Sequence, residues 1–117
     1  MIYVDQKAFH CPVELTLSIV GDKSKAYIVY ILMAGQKRLK EICEAFPSIT
    51  QKTITQKLKE LEADKIITRT VFAEVPPRVE YALSPVGLEL KNVLDSMYRF
   101  GETYAKQYAN QEPKQCK

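Results

Sequence analysis

A chain of 117 residues with 46% hydrophobic content suits one domain around one core and excludes a disordered composition. The formal net charge of +3 is mildly basic, so a polyanion partner is implied only if the cations cluster. No run approaches the roughly 18 apolar residues of a membrane span, and the opening MIYVDQKAFHCPVEL lacks the regions of a signal peptide; a cytoplasmic protein without a membrane partner is expected. Cys11, Cys43 and Cys116 stand at wide, unrelated spacings beside a single histidine, His10. That pattern is neither a disulfide framework nor a zinc site, and it leaves no nucleophile–base–orienter set for an enzyme. No metal, cofactor or catalytic residue is expected.

Residues 1–10 show no clear period and read as an amino-terminal arm. Pro12 suits the first position of a helix, because its missing N–H is unpaired there anyway, which makes Cys11 the N-cap. Val13, Leu17 and Val20 form the stripe of this helix, and Gly21-Asp22 ends it. A second helix is predicted from Lys23 to Ala34. It is apolar on almost every side, as a central buried helix is, and Gly35 stops it. After the basic turn Gln36-Lys37-Arg38, a third helix runs from Leu39 to Ala45, with Pro47 blocking its continuation.

Thr50 is a good N-cap for a fourth helix. Ile54, Leu58 and Leu61 recur at i, i+4 and i+7 on one face. The stretch from Thr50 to Lys59 holds three lysines and no acid, and Glu60, Glu62 and Asp64 follow it. Cations early and acids late oppose the helix dipole, at roughly 0.3–1 kcal/mol per charge. Local rules tend to be broken where function needs it, so the amino-terminal half of this helix is read as facing a polyanion. Two helices joined by a short turn, the second longer and basic, make a helix-turn-helix.

From Ile66 the period changes. The runs Ile66–Phe72 and Arg78–Leu83 flank Ala73-Glu74-Val75-Pro76-Pro77, which reads as an antiparallel hairpin with a proline-stiffened tip. A hairpin after a basic helix is the wing of a winged helix. Ser84-Pro85 opens a last helix of about 25 residues. It carries Val86, Leu90, Val93, Met97, Phe100, Tyr104 and Tyr108 on one stripe, widened by Leu94 and Tyr98. It is too long for the body before it, so Leu90, Val93, Leu94, Met97, Phe100 and Tyr104 are expected to serve dimerisation. The expected fold is mainly α with a small β-hairpin (α+β), organised as arm 1–10, winged helix-turn-helix 11–84, dimerisation helix 85–109 and flexible tail 110–117.

Over residues 11–104 the chain resembles the HxlR-type winged-helix transcription regulators. The resemblance rests on Cys11-Pro12-Val13-Glu14, Gly21-Asp22-Lys23, and Ser48-Ile49-Thr50-Gln51-Lys52 leading into Thr55-Gln56-Lys57-Leu58-Lys59-Glu60-Leu61-Glu62. The wing carries the most specific part: Arg69-Thr70-Val71, Glu74-Val75-Pro76-Pro77-Arg78-Val79-Glu80-Tyr81, and Leu83-Ser84-Pro85 with Gly87. One departure is Ser24, where the family usually has tryptophan; a large anchor of the second helix is missing. The resemblance implies a homodimer on double-stranded DNA, usually a repressor and sometimes an activator. Some members sense oxidants or electrophiles through a cysteine near the position of Cys11.

On this reading Gln51, Lys52, Thr55 and Gln56 reach base edges and Lys59 meets a phosphate. Lys57, near the apolar edge, is set aside. Arg78 is either held out to DNA by Pro76-Pro77 or paired with Glu74 or Glu80, and Arg38 is either a phosphate contact or an ordinary surface cation. Cys11 is either a packing residue or a redox sensor at a helix amino terminus, where anions are favoured. Cys43, on the apolar face of its helix, is read as core. Tyr27, Tyr30, Tyr98, Phe100 and Tyr104 either line a small-molecule effector cleft or form interface core. The rival to a DNA-binding regulator is a winged-helix module that binds protein and not DNA.

Overall fold

The computed structural model describes residues 1–109; the tail assigned to 110–117, and Cys116 with it, lies outside them. The element order is β1 (Ile2–Val4), β2 (Lys7–Phe9), α1 (Pro12–Val20), α2 (Lys23–Leu32), α3 (Leu39–Ala45), α4 (Gln51–Ala63), β3 (Ile67–Phe72), β4 (Arg78–Leu83), α5 (Pro85–Leu88) and α6 (Leu90–Tyr108). This is the expected α+β fold with one addition. The arm is itself an antiparallel hairpin, Ile2 opposite Phe9 and Val4 opposite Lys7. Its two-residue turn puts Asp5 and Gln6 at positive φ, the geometry that matches strand twist. Phe9 is buried at its base.

The core is built from the apolar faces the periodicity marks. Ile28, Val29 and Leu32 of α2, Ile42 of α3, and Ile54, Leu58 and Leu61 of α4 are all 2% exposed or less. Ile66 and Ile67 close the core from the wing side, and Leu90 and Leu94 from α6. Helix α2 ends at Leu32, a turn's fraction before Ala34, and its Tyr30 is exposed, so the helix is central but not wrapped on all sides.

Capping defines where α4 begins and ends. The Thr50 hydroxyl accepts the Thr53 N–H at 3.2 Å. At the other end Lys65 takes a left-handed conformation at φ 63. Its N–H donates to Glu62 O at 2.9 Å and the Ile66 N–H donates to Leu61 O at 3.0 Å. This is a Schellman stop, and it turns the chain directly into β3.

The wing pairs β3 and β4 in register from Ile67 opposite Leu83 to Phe72 opposite Arg78. Lys37 adds a third, one-residue rung, exchanging backbone hydrogen bonds with Tyr81 at 2.9 and 2.8 Å. The wing is thus tied to the loop before α3. At its far end the buried Ser84 hydroxyl approaches Lys65 O at 2.7 Å and Ile66 O at 3.0 Å, and accepts the Gly87 N–H at 3.0 Å.

The last helix differs from the single element expected. It is broken at Glu89 into the one-turn α5 and the 19-residue α6. Leu90 and Leu94 are buried in the chain's own core, and Tyr98 stacks on Tyr30 with ring centroids 6.5 Å apart. Beyond Tyr98 every described residue of α6 is exposed.

Candidate nucleic-acid interface

Burial of Ile54, Leu58 and Leu61 turns the opposite side of α4 outward. Lys52, Gln56 and Lys59 share that exposed face, with Gln51 exposed at the first helical position and Thr55 half-buried on the flank. No acid stands in the first turn of α4.

Lys57, near the apolar edge of α4, is committed elsewhere. Its Nζ lies 2.8 Å from Asp22 Oδ2. Asp22 Oδ1 meanwhile caps α2 by accepting the Lys25 N–H at 3.1 Å. Glu60 is held the same way, with Lys25 Nζ 2.9 Å from Oε1 and Gln56 Nε2 donating to Oε2 at 3.1 Å. These contacts join the start of α2 to the middle of α4. Helical periodicity gives no sign of them, because Asp22 and Lys57 are 35 residues apart. Asp22, Lys25 and Glu60 belong to the site, and no local sequence signal marks them as partners of α4.

The hydrogen bond from Lys57 holds the Asp22 carboxyl below its ordinary 3.8, against the opposing effect of burial. The hydrogen bonds from Lys25 and then Gln56 hold Glu60 below 4.5. Asp22 in turn raises the Lys57 amine above 10.5. A carboxyl with a lowered folded pKa stabilises the fold above its unfolded value and loses that contribution as pH falls through the folded value. Stability from this network is therefore flat near neutrality and declines below about pH 4.5. Asp22→Asn, which keeps an N-capping oxygen, is expected to show a shallower acid decline in urea midpoints measured from pH 6 to pH 3.

Arg78 opens β4 at the wing tip. Its Nη2 lies 3.2 Å from Glu74 Oε2 and its Nε 3.3 Å from Glu80 Oε2. The buried Nε is attracted to Glu80 without meeting hydrogen-bond geometry. The guanidinium also lies 4.1 Å over the Phe72 ring. Of the two outcomes open for this arginine, the free chain shows the paired one. Arg38 is the exposed N-cap of α3, and its backbone N–H donates to Glu41 Oε1 at 2.8 Å.

Cys11 is the exposed N-cap of α1, with extended backbone and no capping hydrogen bond from its side chain. The neighbouring His10 N–H donates to the Glu14 carboxylate, so an acid already occupies this helix start. Cys43 is half-buried on α3, and burial pushes its thiol up, helped by the charge of Glu44.

On α6, Val93 is 36%, Met97 51%, Phe100 69% and Tyr104 57% exposed. Of the six residues assigned to dimerisation these four are free at the surface, while Leu90 and Leu94 face inward. Val93 and Met97 line an open apolar groove with Val13 and Leu17 of α1, both also exposed. Phe100, Tyr104 and Tyr108 continue along the helix with successive ring centroids 6.0 and 4.9 Å apart. Among the described residues no group of three or more His, Cys, Asp or Glu could hold a metal ion, and no helix is long and apolar enough to cross a membrane.

A capped helix-turn-helix followed by a paired wing defines a winged helix-turn-helix protein. The family model of the HxlR-like helix-turn-helix matches residues 19–109, and the chain belongs to that family of DNA-binding transcription regulators. It is 43% identical over 101 residues to the HTH-type transcriptional regulator YtcD of Bacillus subtilis, covering 86% of this chain and 80% of the relative. Among solved structures it is similar to the redox regulator HypR in its oxidised form, at 44% identity and TM-score 0.75, covering 80% of this chain and 96% of HypR. It is also similar to the reduced form of the regulator YodB from B. subtilis, at 37% identity and TM-score 0.71, covering 92% of this chain and all of YodB.

Proposed function

We propose that the protein is a cytoplasmic, sequence-specific repressor that binds a palindromic operator as a homodimer, and that an oxidant or electrophile acting at Cys11 controls it. The observation that carries the DNA-binding half is the outward face of α4, where Lys52, Gln56 and Lys59 are exposed together and no acid occupies the first turn. In this reading α4 enters the major groove with its amino end leading, Gln51, Lys52, Thr55 and Gln56 meet base edges, and Lys59 meets a phosphate. Arg38 adds a backbone contact. Arg78 meets the neighbouring phosphate or minor groove by exchanging Glu74 for DNA.

Dimerisation is supported by the apolar residues of α6 that no described residue covers, Met97, Phe100 and Tyr104 among them. Pairing of two such helices would set the two α4 helices about one DNA turn apart, roughly 34 Å. Selection from random duplexes tests the proposal: two inverted half-sites one turn apart are expected, and Lys52→Ala combined with Arg78→Ala should enrich none. Enrichment of a single asymmetric site would refute the symmetric dimer.

The regulatory half rests on an exposed Cys11 at a helix start and on the redox description of HypR, a relative of this chain. Oxidant or quinone is expected to release the operator from the parent protein and not from Cys11→Ser. An equal response of both proteins, read by mobility shift, rules out sensing through this thiol.

A further inference from the structure

The two oxygens of Glu60 have separate partners. Oε1 lies 2.9 Å from Lys25 Nζ, and Oε2 accepts the Gln56 amide N–H at 3.1 Å. Lys25 belongs to α2, and its side chain is only 12% exposed. The carboxylate is therefore anchored to the body of the protein on one side, and it grips an exposed residue of α4 on the other. Its neighbour Lys57 is anchored in parallel through Asp22.

We infer that Glu60 is a positioning residue for specificity: clamped by Lys25, it fixes the rotamer and amide orientation of Gln56 before DNA arrives. This rests on the reading that α4 enters the major groove. A glutamine reads adenine with its carbonyl oxygen and one N–H side by side. The amide has a second N–H, and Glu60 takes a hydrogen of Nε2, which leaves the oxygen and the remaining N–H for a base. A free glutamine must freeze three torsions and choose between two amide orientations on binding. A glutamine already tied to an anchored carboxylate has less freedom to lose. Glu60 does this without touching DNA, and its negative charge weakens attraction to every phosphate nearby. Sequence discrimination and general affinity are therefore set in opposite directions by one side chain.

The test measures binding of purified full-length variants to the selected operator, to operators changed at each base pair, and to unrelated duplex. Gln56→Ala identifies the base pair it reads, as the position where discrimination falls. Glu60→Ala is expected to lose roughly fivefold to tenfold discrimination at that same pair while its affinity for unrelated duplex rises. Glu60→Gln also removes the charge, and its single amide oxygen cannot accept from Gln56 while facing Lys25 Nζ, so the clamp opens here too. It is expected to behave as Glu60→Ala does, whereas Lys25→Met, which keeps the Glu60 charge but frees it from α2, should lose discrimination at that pair with no rise in affinity for unrelated duplex. In the double variant Gln56→Ala/Glu60→Ala discrimination should fall no further than in Gln56→Ala alone. Additive losses, or discrimination unchanged in Glu60→Ala or in Lys25→Met, would overturn the inference. Failure of the parent protein to select any sequence would instead sink the DNA-binding reading, and this inference with it.

Discussion

Phe100→Ser combined with Tyr104→Ser is expected to turn the proposed homodimer into a folded monomer and to abolish operator binding. Both rings are exposed, at 69% and 57%, on a helix segment that the other described residues do not cover. Their removal costs the isolated chain nothing that can be seen in its core, which is built from α2, α3, α4, the wing start and the first half of α6. In a symmetric pair the two substitutions remove four aromatic side chains. At roughly 1.5–3 kcal/mol for each fully buried side chain this is a large share of any association energy, even after the cost of association is set against it. A single winged domain would then make half the phosphate contacts, and its affinity would fall toward non-specific values. Sedimentation at micromolar concentration reads the first effect and a mobility shift the second. A variant that remains dimeric would move the interface elsewhere. The parent's thermal midpoint should also rise with concentration, and the variant's should not.

Gly87→Ala is expected to have the largest effect on stability, a loss of about 2–4 kcal/mol. A methyl group here would stand 2.2 Å from Ile66 O and 3.3 Å from Ser84 Oγ. The backbone carbonyl cannot retreat cheaply, because it also accepts the Ser84 N–H at 2.9 Å. The added carbon must push apart the end of α4, the start of β3 and the turn that launches α5. That junction also aims α6, so the substitution should loosen the geometry between the two halves of a dimer as well. Urea unfolding followed by far-ultraviolet circular dichroism measures it. A loss below about 0.5 kcal/mol, the range of ordinary surface substitutions, would show that the junction yields.

Much of this architecture is readable from residues that act on their immediate neighbours. Pro47 and the Thr50 cap separate α3 from α4. The 3.6-residue spacing of Ile54, Leu58 and Leu61 finds the buried face of α4, and with it the outward face. Pro76-Pro77 between two β-branched runs finds the wing. The features that escape depend on contacts between distant segments or on unusual backbone. The β1–β2 hairpin turns through Asp5-Gln6, neither of which is the glycine that such a turn usually advertises. The break at Glu89 leaves no local mark, since residues on both sides keep helical spacing. Leu90 and Leu94 share the α6 stripe with Met97, Phe100 and Tyr104, yet the first pair faces the chain's own core; only the packing of α6 on α2 separates them. Arg78 could have been free or paired on sequence alone, and the approach of Glu74, Glu80 and Phe72 settles its resting state.

The outward face of α4 presents Lys52 and Lys59 together. The most direct measurement is the affinity of the protein for its selected duplex against salt concentration, comparing the parent with Lys52→Ala/Lys59→Ala. The parent is expected to lose affinity steeply as salt rises. The variant should bind at least tenfold more weakly at low salt, with a log–log slope shallower by roughly two to four when two protomers occupy one duplex. An unchanged slope and affinity in the variant would contradict the placement of this helix against DNA.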